Sequence, residues 1–167
     1  MTTLQHIKVL ALDVDGVLTD GTIAIPGIGP NTKSFHVHDG LGISLWQKAG
    51  FHVLLISGRD ELCVTVRAAE LNIKYVKQSS KDKISDLETF LRKLECTSEE
   101  VCFVGDDLGD LAVMQHVGYS IAVQNAVEEV KQLADWTTIK CGGTGAVREV
   151  VEHLMKANNS WEHCVSS

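Results

Sequence analysis

Short apolar runs alternate with amphipathic stretches along the chain, and this alternation predicts an α/β fold. Runs rich in Val, Ile and Leu are expected to form buried strands over 7–13, 52–57, 73–76, 101–104, 119–123 and 136–139. Amphipathic stretches predict helices near 41–49, 60–71, 82–95, 107–117, 125–134 and 145–156. Because the strands are apolar on both faces, we predict a doubly wound, mostly parallel sheet between two layers of helices.

Residues 20–37 interrupt this alternation. They contain both prolines of the chain and several glycines between two short alternating runs, 22–25 and 33–37, which predicts a β-hairpin. The hairpin leaves the first strand and is too short to be a separate lid domain. We therefore expect one domain over 1–157 and a flexible C-terminal tail over 158–167.

Charge and composition narrow the possible partners. The 167 residues carry a net charge of -7, which argues against nucleic acid or an anionic membrane surface as a partner. The sequence has no 18-residue apolar stretch and no signal-peptide pattern, so we expect a cytoplasmic protein. The five cysteines form no CxxC pair, which argues against disulfides and a zinc site.

Two carboxylates lie at the carboxyl end of the first predicted strand. Asp13 and Asp15 lie in the segment 12–21, LDVDGVLTDG. Open parallel sheets bind ligands at the carboxyl ends of their strands. Two acids one residue apart at such a place suggest a nucleophile beside a proton donor. The alternative is that both residues form only turn hydrogen bonds, which are common for Asp.

Further polar groups follow other strands at the same predicted edge. Ser57 and Gly58 lie between the second strand and its helix, where a hydroxyl and backbone N–H groups would cradle an anion, although Ser57 could be only a helix N-cap. Lys83 begins the third helix and supplies a cation. Asp106 and Asp107 follow the fourth strand, and paired carboxylates favour Mg²⁺. Together these groups predict a phosphoryl-transfer site.

Four segments resemble, in order, the four motifs of the haloacid dehalogenase superfamily: DVDGVLTDG, ISGR, DK and GDDLGD. Further features resemble the capless sugar-acid phosphatases of that superfamily. They are the short hairpin in place of a cap domain and the segments 35–43, 66–73 and 142–150. The resemblance implies a three-layer, Rossmann-like fold and a Mg²⁺-dependent phosphatase that forms an aspartyl phosphate. The implied substrate is an anionic sugar-acid phosphate, 3-deoxy-D-manno-octulosonate 8-phosphate, within lipopolysaccharide biosynthesis. The alternatives are a nine-carbon sugar-acid 9-phosphate and a non-catalytic oligomerisation module.

The resemblance also implies a role for each catalytic side chain. Asp13 would attack phosphorus and carry the phosphoryl group. Asp15 would protonate the leaving sugar oxygen and then activate water. Ser57 and Lys83 would hold the phosphoryl oxygens.

The implied metal site uses the same loops. Mg²⁺ would be held by the Asp13 carboxylate, the Asp15 main-chain carbonyl and Asp106, with Asp107 acting through water. Asp110 is expected to shape its loop rather than take part in chemistry.

Four basic side chains and one glycine-rich turn have two possible roles each. Arg59 and Arg67 lie on or next to the second helix and are predicted to pair with a substrate carboxylate, the alternative being exposed helix arginines. His36 and His38 could chelate a transition metal or flank the entrance. The turn 142–145, GGTG, could offer N–H groups to an anion or serve packing.

The missing cap leads to a prediction about assembly. Capless relatives close their active sites with a neighbouring subunit, so the resemblance implies a homotetramer. Ile23, Ile25 and Ile28 in the hairpin would suit a subunit interface, or they could pack on their own domain.

Overall fold

A computed structural model describes residues 4–166 and contains a sheet of six parallel strands. The strands are β1 Val9–Leu12, β2 His52–Ile56, β3 Tyr75–Lys77, β4 Val101–Gly105, β5 Tyr119–Ala122 and β6 Trp136–Thr137. The helices are α1 Val37–Lys48, α2 Leu62–Glu70, α3 Lys83–Leu94, α4 Leu111–His116, α5 Glu128–Leu133, α6 Ala146–Ala157 and α7 Trp161–Val165. The six strands and six helices expected outside the insertion 20–37 are all present with shifted ends, so the predicted fold class is confirmed.

The strand order places one crevice at the centre of the sheet. The order is β3-β2-β1-β4-β5-β6, and β1 pairs in parallel with both β2 and β4. The chain therefore reverses its winding direction between β1 and β4. In open α/β sheets, ligands bind outside the carboxyl ends of strands at such a reversal.

Helices cover both faces of the sheet and bury its strands. Helices α1, α6 and α7 contact one another, and α3, α4 and α5 form a second group. The strands β1 and β4 are buried at every position, as expected for strands covered on both sides. Trp46 of α1 and Phe103 of β4 are among the largest fully buried side chains.

The C-terminal residues pack against the domain, which differs from the flexible tail predicted from their polar sequence. Cys164 of α7 is buried, and Lys48 donates to its carbonyl at 3.5 Å. The Arg148 guanidinium lies 5.1 Å from the centre of the Trp161 ring. The apolar surface of Trp161 and Cys164 gives this segment a reason to dock. Residues 1–3 of the predicted domain and Ser167 of the predicted tail lie outside the described residues.

The insertion 20–37 reverses direction but forms no strand ladder. One antiparallel bridge joins Ala24 and Thr32, so the predicted strands 22–25 and 33–37 are absent. Pro26 and Pro30 lack the N–H groups that a ladder needs, which accounts for the difference. Helix α1 also begins earlier than predicted, at Val37.

Candidate active site

Asp13 lies immediately after β1, at the carboxyl edge of the sheet. The residue is 8% exposed, and its Oδ1 accepts a 2.7 Å hydrogen bond from the Val14 N–H. The same oxygen lies 3.1 Å from the Lys83 ammonium. Burial and the charge of Asp110 raise the pKa of Asp13, while Lys83 acts in the opposite direction. Asp13 is therefore a desolvated carboxylate whose ionised form depends on nearby cations.

Lys83 reaches this carboxylate because α3 starts at the same edge. Asp82 caps the helix by accepting from the N–H groups of Ile84 and Ser85, both at 3.1 Å. The Lys83 ammonium then bridges Asp13 and Asp110, with the Asp110 Oδ1 at 2.6 Å. Burial acts to lower the pKa of Lys83, but the charges of Asp13 and Asp110 raise it overall. Lys83 is a fixed positive charge beside the predicted nucleophile.

Three carboxylates converge next to this lysine and fit a divalent cation. Oxygens of Asp13, Asp106 and Asp110 lie within 4.8 Å of one another. The Asp106 Oδ1 is buried and has no hydrogen-bond partner, which is unusual for a buried oxygen. Burial, Asp13 and Asp110 raise the pKa of Asp106 to about 8. Crowded carboxylate oxygens with an unsatisfied lone pair are the donors that Mg²⁺ prefers, so these residues fit the predicted metal.

Asp110 contributes more to the site than the sequence predicts. It is 1% exposed, and its Oδ2 accepts from the Asp106 N–H at 3.0 Å. Its other oxygen binds Lys83, so the residue shapes the loop and also holds a site cation. Asp107 lines the cavity, but its Oδ1 accepts from the Leu108 N–H at 2.8 Å and it lies outside the three-carboxylate cluster.

Ser57 and Gly58 line the same cavity as Asp13 and Lys83. Ser57 is 2% exposed, and its Oγ accepts from the Arg59 N–H at 3.2 Å. The N-cap of α2 is Glu61, so Ser57 is not a helix cap. The turn thus presents a buried hydroxyl to the cavity, a group able to donate to an anion.

Sequence reasoning missed Lys33 and Glu61, and it did not place the predicted Arg59 beside Asp15. Lys33, from the insertion, forms an ion pair with the Asp15 Oδ1, and Arg59 Nε lies 3.9 Å from the Oδ2. Glu61 binds Arg59 at 3.1 Å and accepts from the Asn31 amide. No short motif carries this signal, because Lys33 stands in an irregular loop 18 residues beyond Asp15.

The catalytic, substrate-binding and metal-binding residues predicted from the sequence all line one cavity of about 320 Å³, with the exception of Arg67. The cavity is lined by Asp13, Asp15, Gly21, Ser57, Gly58, Arg59, Lys83, Asp106, Asp107, Gly109 and Asp110. Arg67 instead lines a neighbouring groove, where it pairs with Glu70 at 2.9 Å and lies over the Phe35 ring. Its position on α2 directs it away from the cavity, so the structure does not bring Arg67 to the substrate site.

Two questions remain from the sequence: whether His36 and His38 bind a metal, and whether the turn 142–145 binds an anion. Within residues 4–166, no third metal-binding group joins His36 and His38, whose rings contact edge-on. The Gly142 N–H donates to Asn125 at 2.6 Å, and the Gly143 N–H donates to the Val17 carbonyl at 3.0 Å. These N–H groups are used in packing against the loop after β1. The packing interpretation of 142–145 therefore agrees with the structure.

Comparison with known proteins shows that the chain is similar to hydrolases that act on phosphate esters. A family model for haloacid dehalogenase-like hydrolases matches residues 69–150. The 3-deoxy-D-manno-octulosonate 8-phosphate phosphatase of Salmonella typhi is 41% identical over 157 residues, which cover 94% of this chain and 84% of that protein.

Solved structures are similar over almost the whole chain. The phosphatase of the same name from Moraxella catarrhalis, in complex with magnesium, phosphate and KDO, is 38% identical with a TM-score of 0.95. That similarity covers 98% of this chain and 94% of the Moraxella chain. The cobalt-bound enzyme from Haemophilus influenzae is 36% identical with a TM-score of 0.91, covering 95% and 92% of the two chains.

Proposed function

The chain belongs to the haloacid dehalogenase-like hydrolases, and from this premise we propose that it hydrolyses 3-deoxy-D-manno-octulosonate 8-phosphate. The observation that carries the proposal is the convergence of Asp13, Lys83 and Asp106 with the Ser57 hydroxyl in one cavity. These groups supply a nucleophile, a cation and a metal ligand for a phosphate monoester. The names and bound ligands of the similar enzymes support the sugar acid.

The proposed reaction proceeds in two displacements. An Asp13 oxygen forms a bond to phosphorus while the bond from phosphorus to the sugar oxygen breaks, and Asp15 gives a proton to that oxygen. Asp15 then accepts a proton from water as the water attacks the phosphorus of the aspartyl phosphate. Phosphate leaves and the Asp13 carboxylate is restored. Splitting the transfer in this way replaces one difficult step with two easier ones.

Mg²⁺ fits the acidic end of this cavity. We propose that Asp13, Asp106 and the Asp15 main-chain carbonyl hold it, with Asp107 acting through water. When bound, the cation offsets the repulsion between the Asp13 carboxylate and the phosphate dianion. Lys83 adds a second positive charge 3.1 Å from Asp13, and Ser57 offers its hydroxyl to a phosphoryl oxygen.

The first test measures phosphate release from eight- and nine-carbon sugar-acid phosphates in the presence of Mg²⁺. We expect the eight-carbon 8-phosphate to have the highest kcat/KM, and Asp13→Asn to lose at least about 1,000-fold because it removes the nucleophile. Preference for a nine-carbon ester would replace the proposed substrate. An inert wild type would favour a non-catalytic module, and activity that survives in Asp13→Asn would contradict the mechanism.

We further propose a cytoplasmic homotetramer whose subunits cover the open cavity. No helix among residues 4–166 is long and apolar enough to cross a membrane. Ile25 and Ile28 of the insertion are 79% and 96% exposed, and exposed apolar side chains of this kind favour an interface. Light scattering at micromolar concentration should give the mass of four chains, and Ile28→Asp should lower that mass. A monomeric wild type would refute this assembly.

A further inference from the structure

The insertion 20–37 reaches the active site through the side chain of Lys33. Its ammonium pairs with the Asp15 Oδ1, and the side chain is 0% exposed. The rest of the insertion is mostly exposed. Burying an ammonium group is unfavourable unless a partner compensates for the lost hydration. A lysine whose side chain is fully buried, on an otherwise exposed loop, is therefore held there by its contact with Asp15.

The returning arm of the insertion has an alternating pattern of exposure. Asn31, Lys33 and Phe35 are partly buried, whereas Thr32 and Ser34 are exposed. Extended backbone sends successive side chains to opposite sides, so three alternate side chains face the domain. Lys33 is the central one of the three.

The two outer side chains fix the position of this arm. The Asn31 amide donates to both carboxylate oxygens of Glu61, at 3.1 and 3.3 Å. Phe35 packs against the core and lies under the Arg67 guanidinium, 5.6 Å from the ring centre. With the residues on either side anchored, the Lys33 backbone has a defined place and its ammonium meets one carboxylate oxygen.

Asp15 has a second, weaker cationic neighbour. Arg59 Nε lies 3.9 Å from the Asp15 Oδ2, and the Arg59 side chain is 47% exposed. An exposed pair at this distance contributes little, since water screens it. The buried Lys33 contact therefore dominates the orientation of the carboxylate.

We propose that Lys33 is a positioning residue that fixes one oxygen of Asp15, so that the other oxygen faces the group that receives or gives the proton. The inference rests on the proposed function, because it has meaning only where Asp15 transfers protons. It makes the insertion a part of the active site of its own chain, independent of any contact with a neighbouring subunit.

The test compares kcat and KM of Lys33→Met and Lys33→Arg on two phosphate monoesters. For 3-deoxy-D-manno-octulosonate 8-phosphate, whose leaving oxygen needs a proton, we expect Lys33→Met to lower both kcat and kcat/KM about 100-fold. For 4-nitrophenyl phosphate, whose leaving group departs without a proton, the loss in kcat/KM should be about tenfold or less, because kcat/KM reports formation of the aspartyl phosphate and not its hydrolysis. KM for the sugar-acid ester should change by less than about threefold, since the lysine acts through Asp15 rather than on the substrate. Lys33→Arg keeps the charge and should recover most of kcat.

A double-mutant cycle separates positioning from direct substrate contact. If Lys33 acts through Asp15, adding Lys33→Met to Asp15→Asn should cost little beyond Asp15→Asn alone. Lys93→Met is the matched control, because this exposed lysine lies ten residues after Lys83 on α3, about 15 Å along the helix. It should keep wild-type kcat and KM.

The outcomes distinguish this inference from the proposed function. Wild-type kcat and kcat/KM in Lys33→Met, equal losses of kcat/KM on both esters, or losses that multiply in the double variant would each overturn the role of Lys33 alone. A wild type that releases phosphate from neither ester would overturn the proposed function, and this inference with it. Circular dichroism checks that each variant is folded. Lys33→Gln, which keeps a donor without the charge, replaces Lys33→Met if the latter does not fold.

Discussion

Gly16 stands where the loop after β1 passes closest to the metal-binding carboxylates. Its φ is +87°, and a Cβ at this position would overlap the Asp106 carboxylate. The Gly16 N–H donates to the Thr19 hydroxyl oxygen at 3.3 Å, and its carbonyl accepts from Asn125 at 3.2 Å. The loop is thus tied on both sides and cannot shift to make room for a side chain. Only glycine combines this conformation with this approach.

We expect Gly16→Ala to lower kcat about 100-fold or more, because the added methyl displaces Asp106 from the place where it would hold Mg²⁺. The strained φ should also lower the free energy of unfolding by about 1–3 kcal/mol. Steady-state kinetics and urea unfolding measure the two effects. Gly27→Ala is the control, since no atom lies within 4 Å of its Cβ position and its φ is not in the left-handed region. Wild-type kcat in Gly16→Ala would show that catalysis does not depend on the close contact between Gly16 and the Asp106 carboxylate.

At the scale of elements, the sequence predicts the strand ends and the groups that follow them. Asp13, Ser57 and Asp106 each come directly after a strand, and parallel strands bring such positions to one edge. Lys83 is similar because it lies at the start of the helix expected over 82–95, and the structure makes Asp82 the N-cap of that helix. The periodicity of apolar residues is a local signal, so this part of the site could be predicted.

The insertion 20–37 has contacts that local sequence patterns do not predict. The sequence gives the correct alternation of Lys33 and Phe35, but the ladder it predicts is absent and the pairing with Asp15 depends on how the loop folds back. Arg67 shows the converse error. Its place on α2 was predicted, yet the direction of its side chain depends on Phe35 and Glu70, which no local pattern connects to it.

At the scale of the whole molecule, the active site lowers the stability of the metal-free protein. Burial and neighbouring acids raise the pKa of Asp106 to about 8, and the pKa of Asp13 is also raised. In the unfolded chain both carboxyls titrate near the ordinary value of 3.8. Between these values the folded protein holds protons that the unfolded chain has released, so stability falls as pH rises. Above the folded pKa the loss is complete.

Mg²⁺ should reverse this loss, and more strongly at higher pH. Metal binding requires ionised carboxylates, so protons compete with the cation below about pH 8. We expect the increase in Tm caused by Mg²⁺ to be larger at about pH 8 than at about pH 6, measured by calorimetry on protein first freed of metal by a chelator.

Asp106→Asn removes the unfavourable charge, so it should raise the metal-free Tm at the higher pH while abolishing the response to Mg²⁺ and the activity. Asp60→Asn makes the same change at an exposed position and should leave both the Tm and its Mg²⁺ response near wild type. An Mg²⁺ response that is equal at both pH values, or a metal-free Asp106→Asn less stable than wild type at the higher pH, would contradict a metal site built from these buried, mutually repelling acids.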